Sequence, residues 1–217
     1  MPLYKTIPVS KTTTVYIWKI EEDLATLSRK FYTNQDPSKP LQLSPNSLYR
    51  LAHMKSELHQ RGFMSIRHLL NEAGYTDFDL YYDKSGKPHL TDEKYISITH
   101  SYHFSAVIIS DKPVGIDIEK QRDKILRIAQ KFTPIEEYYT LTSAEARVRK
   151  LTIVWGAKES LYKLYAQEGL SFLNHIDVED FNFDDGTTTA QINYNGTISD
   201  YRLTFLEMEG FTCVYGW

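Results

Sequence analysis

Two short stretches hold side chains that could do chemistry together. In "VGIDIEK", Asp117 and Glu119 stand two residues apart; in "WGAKESLYK", Glu159 lies between Lys158 and Lys163. Read as a strand, the first stretch sends Val114, Ile116 and Ile118 to the core and both carboxylates to the opposite face. Like charges at that spacing repel, and Asp is disfavoured in strands, so the pair calls for compensation. A hard divalent cation such as Mg²⁺ would supply it. A solvated polar face on an edge strand would also accommodate both acids, and the pattern leaves the two readings open. Read as a helix, the second stretch places Trp155, Glu159 and Lys163 at i, i+4 and i+8 on one face. Leu151, Val154, Leu161 and Tyr165 form a neighbouring apolar stripe. Gly156 costs roughly 1 kcal/mol relative to Ala inside a helix, which implies close approach of another group. Alone, Glu159–Lys163 is a surface pair worth about 0.3–0.5 kcal/mol. Beside Asp117 and Glu119 it completes a set of oxygen ligands, with a lysine in reach of a bound anion.

Mg²⁺ commonly keeps waters and shares the oxygens of substrate phosphates, so the implied ligand is a phosphate compound. Cationic groups that could receive it are Lys87 in "SGKPH", His100 in "ITHS", Arg67 and His68 in "SIRHLL", and Lys55 and Arg61 upstream. Each also has an ordinary reading, as a solvated lysine or a hydrogen-bonded structural histidine.

The elements that must position these groups follow from pattern. "TVYIWKI" (14–20) reads as a strand from its β-branched and aromatic content. Leu24, Leu27 and Phe31 have helical spacing. Ser44 and Pro45 open a further helix as N-cap and N1; it runs on with a break expected at Gly62 and a stop at Gly74. A turn at Ser85-Gly86 and strands at 95–100 and 104–110 precede the acid-bearing strand. Capping boxes at Thr133–Glu136 and Thr142–Glu145 each predict a helix start, the second leading into the Glu159 helix, which should end at Gly169. The tail from His175 reads as strands with an Asn195-Gly196 hairpin turn. This order is α+β, not regular strand–helix alternation.

Composition bounds the rest. The 217 residues, 41% hydrophobic, suffice for one sizeable domain or two small ones. A net charge of −3 gives no strong field toward nucleic acid or an anionic membrane. The single cysteine, Cys213, excludes an internal disulfide and a cysteine-cluster metal site. No segment reads as a signal peptide or a membrane span, so the expectation is a soluble, cytoplasmic protein.

Taken in order, "GKP", "THS", "GIDIE", "FTPIE" and "WGAKESLYK" resemble the motif series of the 4′-phosphopantetheinyl transferases of the surfactin-synthetase-activating (Sfp-type) class, over roughly residues 44–175. "THS" stands where the class has S-H-S, and the stretch before Arg67 is poorer in basic residues than the class pattern. The resemblance implies a monomer of two similar α+β subdomains related by a pseudo-twofold, each a small antiparallel sheet packed with helices, at 1–110 and 111–217. It implies coenzyme A bound between them, with nucleotide contacts from the first and the metal-binding acids from the second. Asp117, Glu119 and Glu159 match Mg²⁺ ligands. Lys87, Pro88, Thr99 and His100 match coenzyme A contacts; Arg67, Lys55 and Arg61 match basic residues that hold nucleotide phosphates. Lys163 matches the lysine near the transferred phosphate, and Trp155 and Lys158 belong to the helix motif, where Lys158 is either a coenzyme A contact or a solvated neighbour. The implied reaction moves phosphopantetheine to a serine of an apo acyl or peptidyl carrier protein, with Glu159, Lys163 and His100 catalytic and Glu159 or a metal-bound water as base.

Carrier proteins present acidic helices. Between residues 120 and 150 eight basic residues (Lys120, Arg122, Lys124, Arg127, Lys131, Arg147, Arg149, Lys150) face four acids, so this segment is the expected docking surface. Other functions compatible with the acids are a metal-dependent nuclease or phosphodiesterase and a non-catalytic carrier-binding module.

Overall fold

The structure is a computed structural model that describes residues 3–32, 42–134, 141 and 143–217. The chain divides into two compact units, Met1–Lys112 and Pro113–Trp217. Each is an antiparallel sheet packed with helices, so the class is α+β.

The first unit has a four-stranded sheet in the order β1-β2-β6-β5, built from Leu3–Pro8, Thr14–Lys19, Phe104–Ser110 and Tyr95–Ser101. β1 is a largely exposed edge held by pairing with β2. Helices α1 (Leu24–Tyr32) and α3 (Glu57–Glu72) bury Leu27, Phe31, Phe63, Met64 and Leu69 against Trp18 and Val107 of the sheet. α2 (Pro45–His53) starts as expected: the Ser44 hydroxyl accepts the Ser47 N–H and Pro45 occupies the first turn. The break expected at Gly62 lies earlier. Met54 and Ser56 take extended backbone and separate α2 from α3, while Gly62 lies inside α3. The two-stranded hairpin β3 (Leu80–Tyr82) and β4 (Pro88–Leu90) turns through Gly86, at φ +86°.

The second unit has a five-stranded sheet in the order β7-β11-β10-β9-β8, from Gly115–Lys120, Phe211–Gly216, Thr197–Met208, Thr187–Tyr194 and Ile176–Val178. Asn195 and Gly196, both with positive φ, make the β9–β10 turn. Short helices α4 (Lys124–Ile128) and α6 (Phe172–His175) flank the long helix α5 (Ala144–Tyr165). The cap of α5 is Ser143, whose hydroxyl accepts the Ala146 N–H, instead of the expected Thr142. Thr142 and Ile135–Thr140, with Glu136 and so half of the first expected capping box, lie outside the described residues. α5 ends at Tyr165 with Ala166 in the left-handed region, short of the expected Gly169.

Among the described residues no helix is long and apolar enough to cross a membrane.

Candidate functional site

The site in the second unit is set by two glycines. A Cβ on Gly115 of β7 would stand 1.8 Å from the Ser160 carbonyl oxygen of α5, and one on Gly156 of α5 would stand 2.9 Å from Val214 Cγ2 of β11. Only bare backbone permits this approach, which accounts for the helix-propensity cost of Gly156. The Ser160 hydroxyl closes the contact by donating to the Val214 carbonyl at 2.9 Å or to Gly156 at 2.7 Å. The acids of β7 therefore lie on the sheet face that α5 covers. The polar face is not an open one: β7 is an edge strand, yet Asp117 is only 5% exposed, and the Ile116–Ile118 face is buried as well. Glu119, nearer the strand end, is half-buried.

α5 brings Glu159 and Lys163 to this strand. The Lys163 ammonium donates to Asp117 Oδ1 at 2.6 Å and to the Ile116 carbonyl at 3.0 Å. Burial first, and then the Asp117 charge, push the Glu159 carboxyl up to about 7; Lys163 opposes the shift and Glu119 adds to it. Asp117, Glu119, Glu159 and Lys163 are thus one electrostatic cluster. As placed, no three His, Cys, Asp or Glu side chains among the described residues form a ready-made ion cage. The donor set still fits a hard divalent cation that completes its shell with water and substrate oxygens. It consists of carboxylates alone, on two abutting elements, and one of them, Glu159, is pushed up by burial first and by the Asp117 charge second.

Lys158 is neither a solvated neighbour nor a ligand contact. It is 1% exposed, and its ammonium donates to the carbonyls of Phe132, Phe172 and Ile176 at 2.6, 2.8 and 2.6 Å. Trp155 anchors the same region, with its ring 5.0 Å from Phe132 and 5.4 Å from Phe172.

In the first unit, Arg67 also departs from expectation. Its guanidinium is buried on the Phe63 ring and donates to Asp77 Oδ1 at 2.9 Å, Ser47 Oγ at 3.0 Å and the Phe63 carbonyl at 3.2 Å. Asp77 in turn accepts the Ser44 N–H and the Ser47 hydroxyl, so Arg67 ties α2 to α3 and has no face left for a nucleotide. Arg61 is half-buried and donates to the Ile20 carbonyl at 3.1 Å. Lys55 is exposed on the α2–α3 link, Lys87 and Pro88 are half-buried at the β3–β4 turn, and Thr99 is buried in β5. His100 is exposed, with its ring against α3 where Gly62 leaves room: a Cβ there would lie 3.1 Å from Cγ and Nδ1. Gly62 is therefore a cradle for His100 and not a helix breaker. His59, one turn before Gly62, stands with its ring 6.2 Å from that of His100. Its signal in the sequence was the i, i+3 spacing to Gly62.

Residues 113–214 match the family model described as the 4′-phosphopantetheinyl transferase superfamily. The match covers just under half of the chain. Three curated 4′-phosphopantetheinyl transferases are also similar. They are gsp of Aneurinibacillus migulanus (35% identity over 36% of this chain and 34% of the relative), ffp of Bacillus subtilis (32%, over 50% and 48%) and psf-1 of Bacillus pumilus (30%, over 51% and 50%). The chain thus spans between about a third and a half of these relatives' lengths. The superfamily match contains every member of the carboxylate–lysine cluster, from Asp117 to Lys163.

Proposed function

We propose that the protein transfers the 4′-phosphopantetheine group of coenzyme A to a serine hydroxyl of an apo acyl or peptidyl carrier protein, with Mg²⁺. The observation that carries this reading is the Asp117–Glu119–Glu159–Lys163 cluster inside the superfamily match. Asp117, Glu119 and Glu159 would hold the cation, which when bound neutralises charge on the pyrophosphate. The serine oxygen attacks the β-phosphorus, the bridging P–O bond breaks, and the electron pair leaves with 3′,5′-adenosine bisphosphate. Glu159, ionised once a cation is bound, would take the serine proton. Lys163, already directed at Asp117, meets developing charge on the transferred group. His100, Lys87, Pro88, Thr99 and the cationic Lys55 and Arg61 are the coenzyme A contacts of this reading; the buried Arg67 and Lys158 leave the set.

The carrier surface narrows in the same way. Lys150 is buried and paired with Asp180 at 2.6 Å, and Arg149 is held by Glu207 at 2.9 and 2.5 Å. Exposed cations remain at Arg122, Lys124, Arg127 and Lys131, on and around α4. These would steer an acidic carrier helix, an attraction that weakens as salt rises.

Incubation with coenzyme A, Mg²⁺ and apo carrier proteins, followed by weighing the carrier, tests the reaction. The expected result is a gain of one phosphopantetheine, abolished by Glu159→Gln. No gain with several acyl and peptidyl carriers would overturn the reading. In the same assay, Lys124→Glu with Arg127→Glu should raise the carrier KM severalfold and flatten its salt dependence; an unchanged KM rejects docking through α4. The protein is proposed to act as a cytoplasmic monomer, which sedimentation of the purified chain and fractionation of its source cells would check.

A further inference from the structure

Lys158 is the most deeply buried charged group in the site region, and its position needs a reason. Taking an ammonium out of water is costly and is offset only by close, well-aimed acceptors. A leucine or methionine would pack on a helix face without that cost. The three carbonyls that hold Lys158 come from separate segments: Phe132 just after the 3₁₀ turn Ala129–Lys131, Phe172 at the start of α6, and Ile176 at the start of β8. Trp155 rests on the rings of two of these same residues. On its other side α5 meets β7 and β11 through Gly115 and Gly156. The glycine contact sets the distance between helix and sheet, and Leu151, Ile153, Val154, Ala157 and Leu161 of α5 pack into the same core as Val214 and Leu203 of the sheet. Lys158 adds to this apolar packing a directional polar tie one residue before Glu159. At a helix radius of about 5–6 Å, a rotation of about 10° carries a side chain about 1 Å, beyond the roughly 0.5 Å that a working site tolerates.

We propose that Lys158 is a positioning residue: by holding three backbone carbonyls it locks the rotation of α5 and thereby sets where Glu159 points relative to Asp117 and Glu119. It acts through Glu159 and touches no substrate. The inference rests on the reading of these three acids as a cation site.

The test measures Mn²⁺ binding by electron paramagnetic resonance, coenzyme A binding without metal, and carrier modification, in the wild type, Lys158→Met and Glu159→Gln. In Lys158→Met the Mn²⁺ dissociation constant should rise about tenfold or more, as for other residues that orient metal ligands. Its kcat should fall in parallel, and coenzyme A affinity should stay within about twofold. If Lys158→Met does not fold, Lys158→Gln, which keeps an amide donor, carries the same readout with a severalfold loss expected. A lowered melting temperature with wild-type Mn²⁺ affinity would make the tie merely structural and overturn the proposal. Lost coenzyme A affinity with Mn²⁺ affinity intact would make Lys158 a ligand contact and overturn it too. A wild type that binds Mn²⁺ in a Lys158-dependent manner but modifies no carrier would refute the transferase reading and leave the positioning role standing. A wild type that binds no Mn²⁺ would refute both.

Discussion

Arg67 in the first unit and Lys158 in the second are both buried in the helix that covers the sheet, and the two are held differently. Arg67 of α3 meets a side-chain anion, Asp77, with both side chains at most 3% exposed. Lys158 of α5 meets neutral backbone carbonyls. An ion pair can be removed whole by replacing both partners. Losing a lysine held by carbonyls leaves backbone acceptors that no compensating substitution restores. The first arrangement anchors a fold element; the second fixes the orientation of one.

The largest expected effect comes from breaking the ion pair one-sidedly. Arg67→Met leaves the Asp77 charge buried and should destabilise the protein by about 3–5 kcal/mol. The double variant Arg67→Met with Asp77→Leu should regain most of this. Its remaining deficit reflects the Ser44 N–H and Ser47 hydroxyl, which also use Asp77. Urea midpoints of the three variants would decide it, and a double variant no more stable than the single one would break the contrast with Lys158. Because Arg67 is committed to Asp77, folded Arg67→Met should keep its coenzyme A affinity.

A second contrast sets two glycines against each other. At Gly115 the obstructing atom is backbone, the Ser160 carbonyl oxygen at 1.8 Å; at Gly62 it is the ring of an exposed histidine at 3.1 Å. Gly115→Ala must therefore pry α5 from β7, at a cost of about 3 kcal/mol or more. Gly62→Ala can be met by a turn of His100. The roughly 1 kcal/mol that Ala gains in a helix offsets that displacement, so stability should hardly change while His100 moves. Denaturation midpoints check the first difference, and coenzyme A affinity checks whether the place of His100 matters. Equal destabilisation at both positions would remove the distinction.

Legibility in the sequence follows the same division. Spacing alone brought Asp117 and Glu119 to one strand face, and the helical cost of Gly156 pointed to the close approach that the structure contains. Ser44-Pro45, Gly74 and Asn195-Gly196 were readable because local backbone geometry decides them. The burial of Arg67 and Lys158 is not legible, because a long cation looks the same whether it faces water or partners from segments distant in sequence. Gly62 looks like a helix breaker in sequence because its reason, the ring of His100, lies in another element.

The smallest expected effect probes the cluster without any ligand. The Glu159 carboxyl moves from 4.5 up to about 7, through burial, Asp117 and Glu119, against the opposing pull of Lys163. The folded chain therefore holds a proton that the unfolded chain has released. Stability from this group is fully present below about pH 4.5 and declines as pH rises through about 7. In chelator, the urea midpoint of the wild type should fall across that window more than that of Glu159→Gln, which has no carboxyl to titrate. Saturating Mg²⁺ should shrink the difference, because a cation favours the ionised form and displaces the proton. Identical pH profiles for the two proteins in chelator would mean that Glu159 is not crowded by the acids of β7. The case for a shared cation site would then lose its electrostatic support in the second unit, while the ion pair of the first would be unaffected.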